Sequence, residues 1–223
     1  MSTNISPRDS SFDSSADAAS QSAPSAGTII SIAGRQLLVG LKFLLAMTVI
    51  LGIAYPLLVL GIGRLIAPAK AGGSLVSVNG AVVGSSLIGQ DFTGDKWFAS
   101  RPSAAGNGYD ATASGGSNLS ADSPVLLKSI QQLKTAIAQS DGVPESAVPP
   151  DAVTSSGSGL DPEISAAYAL IQVNRVAAAR GLSASAVHAL VQAHIQSRML
   201  GFIGQQGVNV LQLNIAVMAL PHG

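Results

Sequence analysis

The pattern of apolar and polar positions changes twice along this chain. Residues 1–34 are dominated by Ser, Ala, Asp and Pro, with Phe12 as the single aromatic residue. Such a stretch buries too little apolar surface to offset the entropy of ordering it, which predicts a disordered polar tail. From Leu37 to Gly63 the chain is almost wholly apolar, and Phe43–Gly63 is a run of 21 residues without a charge. As a helix that run reaches ~30 Å, the thickness of a bilayer core. We expect a transmembrane anchor over residues 35–66. Pro56 falls inside it and predicts a kink, which a membrane helix tolerates because neighbouring groups satisfy the freed carbonyls. Arg35 and Lys42 flank one end, and Arg64 and Lys70 the other. The tie leaves orientation open on charge alone.

Residues 67–223 read as one small α+β domain. Leu75–Val78 and Ala81–Val83 flank Asn79-Gly80, the pair that two-residue type I′ turns favour, so a β-hairpin is expected. Asp91 to Asp122 is long and rich in Gly, Ser, Asn and Asp, yet it holds Phe92, Trp97, Phe98 and Tyr109. Four aromatics predict an ordered loop pinned to the core. Several helices follow. Ser123-Pro124 is a cap and first-turn signal, with Leu127, Ile130, Leu133 or Lys134, and Ile137 on one face. Asp161-Pro162-Glu163 reads as the start of a helix through Ile164, Tyr168, Ile171 and Val176, stopped by Gly181. Ser183 caps another, with Val187, Leu190, Val191 and Ile195 inward. The last segment, VNVLQLNIAVMAL, reads as a helix from Val210 onward, with a strand at its start as the alternative.

Composition narrows the function. Twelve basic residues balance 12 acidic ones, which argues against a nucleic-acid binder. The chain has no cysteine, which excludes disulfides, thiolate catalysis and cysteine-ligated metal centres. His188 and His194 are six positions apart, a spacing that does not place two ligands on one helical face, and His222 lies near the end of the sequence. The carboxylates are scattered, and Asp91 with Asp110 is no better a catalytic pair than any other two loop acids. No serine stands in a G-x-S-x-G elbow, and GSSLIGQDFTG lacks the lysine of a P-loop. ASGGSN, Ala113–Asn118, is a glycine-rich turn that could present N–H groups to an anion.

Five blocks carry a family resemblance: the anchor with Tyr55-Pro56-Leu57-Leu58, GSSLIGQDFTGDKWFASRPSA (Gly84–Ala104), GYDATASGGSNLS (Gly108–Ser120), SGLDPEISAAYALIQVNRVAAARGLS (Ser158–Ser183) and GVNVLQLNIAV (Gly207–Val217). Together they resemble the C subunit of the bacterial Kdp complex, a high-affinity potassium-transporting P-type ATPase. The resemblance implies one transmembrane helix in the cell membrane and a domain, residues 67–223, on its extracytoplasmic side. It also implies a non-enzymatic accessory subunit, a "catalytic chaperone" that stabilises the assembly and raises the ATP affinity of the ATP-hydrolysing subunit. The partners it implies are that P-type subunit, a channel-like potassium-selective subunit, a small single-span subunit and the lipid bilayer, with no nucleic acid. By resemblance alone, nucleotide contact falls to Gly115, Gly116, Ser117 and Asn118, with no cofactor bound firmly and ATP reached through the complex.

That transfer meets a physical difficulty. One span leaves the domain on one side, and ATP is cytoplasmic. Contact of residues 84–120 with the extracytoplasmic face of the potassium-selective subunit is the expectation that avoids it. Two other readings stand beside the subunit: a membrane-anchored extracytoplasmic hydrolase using a Ser or carboxylate site, and an independent solute-binding module.

Overall fold

The computed structural model describes residues 25–198 and 200–221. Phe12 and His222 lie outside the described residues, as does most of the stretch expected as a polar tail. The chain divides into two units, Met1–Val59 and Leu60–Gly223.

Helix α1 spans Ala26–Val49 and starts on Ser25, whose hydroxyl accepts from the Thr28 N–H. The expected tail boundary at residue 34 therefore falls inside a helix. A π-helical turn, Ile50–Ala54, joins α1 to α2 (Tyr55–Ile66). In that turn the Tyr55 N–H reaches back five residues to the Ile50 carbonyl. Pro56 explains the position, because its ring lacks an N–H and crowds the carbonyl four residues earlier. The whole of Ala26–Ile66 is long and apolar enough to cross a membrane.

A short helix α3 (Pro68–Ala71) leads to β1 (Leu75–Val78) and β2 (Ala81–Ser85). The strands pair antiparallel, with a register shift between Val76 and Ser77. Asn79 and Gly80 both have positive φ, 51° and 80°, as a type I′ turn requires. A further pair, β3 (Glu163–Ile164) and β4 (Val208–Asn209), joins distant segments antiparallel.

The helices build the core: α4 (Pro124–Asp141), α5 (Pro150–Val153), α6 (Ala166–Ile171), α7 (Val173–Arg180), α8 (Ala184–His194) and α9 (Val210–Met218). Phe98, Val176, Val187, Val191, Val208 and Leu213 are fully buried among them. Burying a side chain of the size of Phe98 stabilises by roughly 2–3 kcal/mol. On α4, Ile130, Leu133 and Ile137 pack on this core as their spacing predicts, whereas Leu127 stays exposed.

The helix expected from Asp161-Pro162 starts later and is broken. Ser165 caps it, accepting from the Tyr168 N–H at 3.0 Å. Asp161 does other work: one carboxylate oxygen accepts from the Glu163 N–H and the other from Arg101. This leaves Glu163–Ile164 extended, free to pair with β4. The break at Gln172 between α6 and α7 has a cause in its own side chain. Its amide donates to the Tyr168 carbonyl, the acceptor four residues back that the helix ladder would use. Gly181 stops α7 in the left-handed conformation, as expected.

Candidate functional site

The strap from Asp91 to Ala105 lacks helix and strand, so its backbone groups need partners from elsewhere. Two buried side-chain amides supply them. Asn214 of α9 accepts from the Phe98 N–H at 2.8 Å and donates to the Phe98 carbonyl at 2.9 Å. Gln172 accepts from the Ala99 N–H at 2.7 Å and donates to the Ala99 carbonyl at 3.3 Å. Each amide imitates a neighbouring strand, which lets the chain carry Phe98 into the core without an unpaired peptide group.

Two arginines of α7 hold the preceding turn. Arg175 donates to the carbonyls of Asp95 and Trp97 at 3.0 and 2.9 Å, to Gln172 at 2.7 Å and to Asp141 at 2.6 Å. Burial pushes the Asp141 carboxyl above its ordinary value, and the Arg175 guanidinium pulls it back. Arg180 donates to the Lys96 carbonyl at 2.6 Å and lies over the Trp97 ring, 4.5 Å from its centroid. Phe92 tilts against the same ring. With its backbone fixed, the strap leaves Thr93, Gly94, Asp95 and Lys96 exposed at a tip.

After the strap, Arg101 pairs with Asp161 at 3.0 Å and its carbonyl accepts from the Tyr109 hydroxyl. Burial raises the Tyr109 hydroxyl pKa. Ser103 donates to the Gly159 carbonyl at 2.6 Å and accepts from the Tyr109 N–H at 2.8 Å. Under this segment lies an open cavity of about 340 Å³, lined in part by Asp91, Phe92, Arg101, Tyr109 and Tyr168. The Arg101 guanidinium in its wall is already engaged by Asp161.

The glycine-rich candidate Gly115–Asn118 lies against the loop at residues 156–159. The Gly115 N–H donates to the Ser158 carbonyl at 2.8 Å, and the Ser114 hydroxyl donates to that same carbonyl at 3.0 Å. Close approach requires glycine at Gly159 and leaves little room at Gly116. A Cβ on Gly116 would stand 3.3 Å from the Gly157 carbonyl oxygen, and one on Gly159 only 2.6 Å from the Gly115 oxygen. Ser117 and Asn118 face solvent, and Asn118 has a positive φ of 51°. The segment thus buttresses two loops, with one of its N–H groups already bonded.

The other candidates stay apart. Asp110 closes its own turn by accepting from the Thr112 N–H and hydroxyl, which lower its pKa. Asp91 lines the cavity wall. His188 is exposed, and the His194 ring bonds the Leu190 carbonyl of its own helix. Sequence reasoning passed over Gln172 and Asn214. Their signal is a polar residue on an apolar helical face: Gln172 between Tyr168 and Val176, Asn214 between Val210 and Val217.

Among the described residues these features give one apolar helix long enough to cross a membrane, followed by a domain in which Arg175, Arg180, Gln172, Asn214 and Asp141 hold its own loops. The family described as KdpC, the K+-transporting ATPase c chain, matches residues 37–219. A potassium-transporting ATPase KdpC subunit from Kineococcus radiotolerans is 55% identical over 183 residues, covering 82% of this chain and 93% of the relative. The subunit of the same name from Mycobacterium tuberculosis is 50% identical over 184 residues, covering 82% and 97%. That from Streptomyces coelicolor is 46% identical over 217 residues, covering 86% and 96%. The chain belongs to the KdpC family. Its apolar helix anchors it in a membrane.

Proposed function

We propose that this chain is the non-catalytic accessory subunit of an ATP-driven potassium uptake complex. It stabilises the assembly and raises the ATP affinity of the ATP-hydrolysing subunit. The family match carries this reading, because it runs unbroken through the anchor and the domain. Its partners are the channel-like potassium-selective subunit, the P-type subunit and a small single-span subunit. The domain lies on the extracytoplasmic side.

The engagement of Arg175, Arg180, Gln172, Asn214 and Asp141 supports a docking role over the hydrolase reading. Each of these side chains already bonds a partner within the domain. The role of Gly115–Asn118 is then architectural. The segment supports residues 84–120 as a rigid surface against the extracytoplasmic face of the potassium-selective subunit, and nucleotide affinity is raised through the membrane helices.

A pull-down in mild detergent tests the proposal. The tagged chain should bring down the two larger membrane subunits in fixed proportion. Cells lacking the chain should fail to grow at micromolar potassium. A chain recovered alone from cells that grow normally without it would refute the subunit reading.

A further inference from the structure

The cavity under the strap is walled by three parts of the domain. Asp91, Phe92 and Tyr109 come from the strap and the loop after it, Ile137 from α4 and Tyr168 from α6. Its volume of about 340 Å³ falls within the range of small-molecule sites. The wall made by the strap is in place before any ligand arrives, because Gln172 and Asn214 hold its backbone at Ala99 and Phe98. A pre-formed site loses less free energy to ordering when a ligand binds.

Two groups in this cavity have no structural task. Tyr168 is only 3% exposed, yet among the described residues no hydrogen bond reaches its hydroxyl. A buried hydroxyl ordinarily has a partner. The open space that Tyr168 borders is this cavity and an adjoining one of about 160 Å³, which shares Phe92, Ala99 and Ile137 with it. Burial pushes the Tyr168 pKa up, so the group stays a neutral hydroxyl. The second is Asp91. Among the described lining residues, Asp91 and Arg101 carry charge. Arg101 is taken up by Asp161 at 3.0 Å, and its Nε is buried. Asp91 is exposed and belongs to neither ion pair of the described residues. Its carboxylate acts on Tyr109, adding to the rise in hydroxyl pKa that burial causes. The Tyr109 hydroxyl donates to the Arg101 carbonyl, which leaves its oxygen able to accept.

We propose that this cavity binds a small primary ammonium compound with a short apolar body. An ammonium group has three N–H donors and no acceptor. The Asp91 carboxylate and the Tyr109 and Tyr168 oxygens are acceptors lining one cavity. Phe92 and Ile137 offer surface to the apolar body, and aromatic rings attract a cation. A metal ion such as calcium takes about six to eight oxygen ligands, more than these side chains supply. An anion would meet the Asp91 carboxylate with the Arg101 guanidinium already engaged. This site goes beyond the accessory role and does not depend on it.

The test titrates benzylammonium against the full chain in detergent, followed through the ligand's own NMR signals. Binding should saturate, and neutral benzyl alcohol should bind about tenfold more weakly. Asp91→Asn removes the charge and should weaken benzylammonium about tenfold; Tyr168→Phe keeps the ring and should weaken it about threefold. Both variants should melt with the natural chain, because neither group holds the fold. Asp122→Asn, exposed and outside the cavity, should leave the affinity unchanged. Absence of saturable binding would overturn the proposal, as would equal binding of benzyl alcohol or an unchanged affinity in Asp91→Asn. Stronger displacement by potassium than by sodium at matched ionic strength would make this a metal-ion site and would also overturn it.

Discussion

Gln172 holds both peptide groups of Ala99, accepting from its N–H at 2.7 Å and donating to its carbonyl at 3.3 Å. Asn214 does the same for Phe98 at 2.8 and 2.9 Å. Two helices distant in sequence thereby fix one point of an otherwise irregular strap, and Arg175 and Arg180 of α7 fix its approach.

Gln172→Leu keeps the volume and removes the clamp, leaving the Ala99 peptide groups without these partners. The cost should be about 2–4 kcal/mol, and Asn214→Leu should cost a similar amount. Urea unfolding of the full chain in detergent, followed through Trp97, its single tryptophan, measures both. A loss under about 0.5 kcal/mol in either variant, the size of an ordinary surface change, would show that the clamp is dispensable.

The sequence revealed elements whose causes are local. Asn79-Gly80 set the hairpin, Pro124 the start of α4, Gly181 the end of α7, and the uncharged run at residues 43–63 the anchor. It misled where a local signal was taken over by a distant partner. Asp161 looks like a helix cap, but Arg101, far away along the chain, holds its carboxylate and Ser165 caps the helix instead. The strap could be recognised as pinned from its aromatics. What pins it could not, because an amide on a helix looks like any polar residue until its partner is known. The glycine-rich candidate reads as a turn from its composition, whereas Ser114–Asn118 is irregular chain; its packing on residues 156–159 depends on contacts that spacing does not encode.

Gly89 is a second such contact. Its N–H donates to the Leu160 carbonyl at 2.8 Å, and a Cβ there would stand 2.5 Å from the Asp161 carbonyl oxygen. Gly89→Ala should therefore destabilise by roughly 1–3 kcal/mol through forced displacement of backbone. Gly157→Ala, whose Cβ would meet nothing within 4 Å, is the comparison and should be near neutral. Thermal melts of the two variants separate close approach from a general intolerance of side chains in these loops.

Glu163 gives a pH signature. Burial raises its pKa above the ordinary 4.5, and neighbouring Asp161 adds to the rise. The folded chain then holds this proton more tightly than the unfolded chain. Stability from this group is fully present below the unfolded value and is lost as pH rises through the folded one. Relative to Glu163→Gln, the natural chain should gain melting temperature on going from about pH 7 toward about pH 4.5. A difference that stays constant across that range would contradict the assignment.

Pro56 should be the cause of the π turn in the anchor. Pro56→Ala restores an N–H able to bond the Gly52 carbonyl, which should close Ile50–Ala54 into ordinary α-helix. Spin labels at Met47 and Ile62, on either side of the turn, would report the change as a shifted distance distribution in a bilayer. An unchanged distribution would assign the turn to another cause.

The site of ATP binding tests the accessory role most directly. Equilibrium binding of a fluorescent ATP analogue should be measured for the purified full-length chain, for the partner subunits without it, and for the assembled complex. We predict no binding by the chain alone, and tighter binding by the complex than by the partners without the chain. Stoichiometric binding by the chain alone, abolished by Gly116→Val, would contradict it.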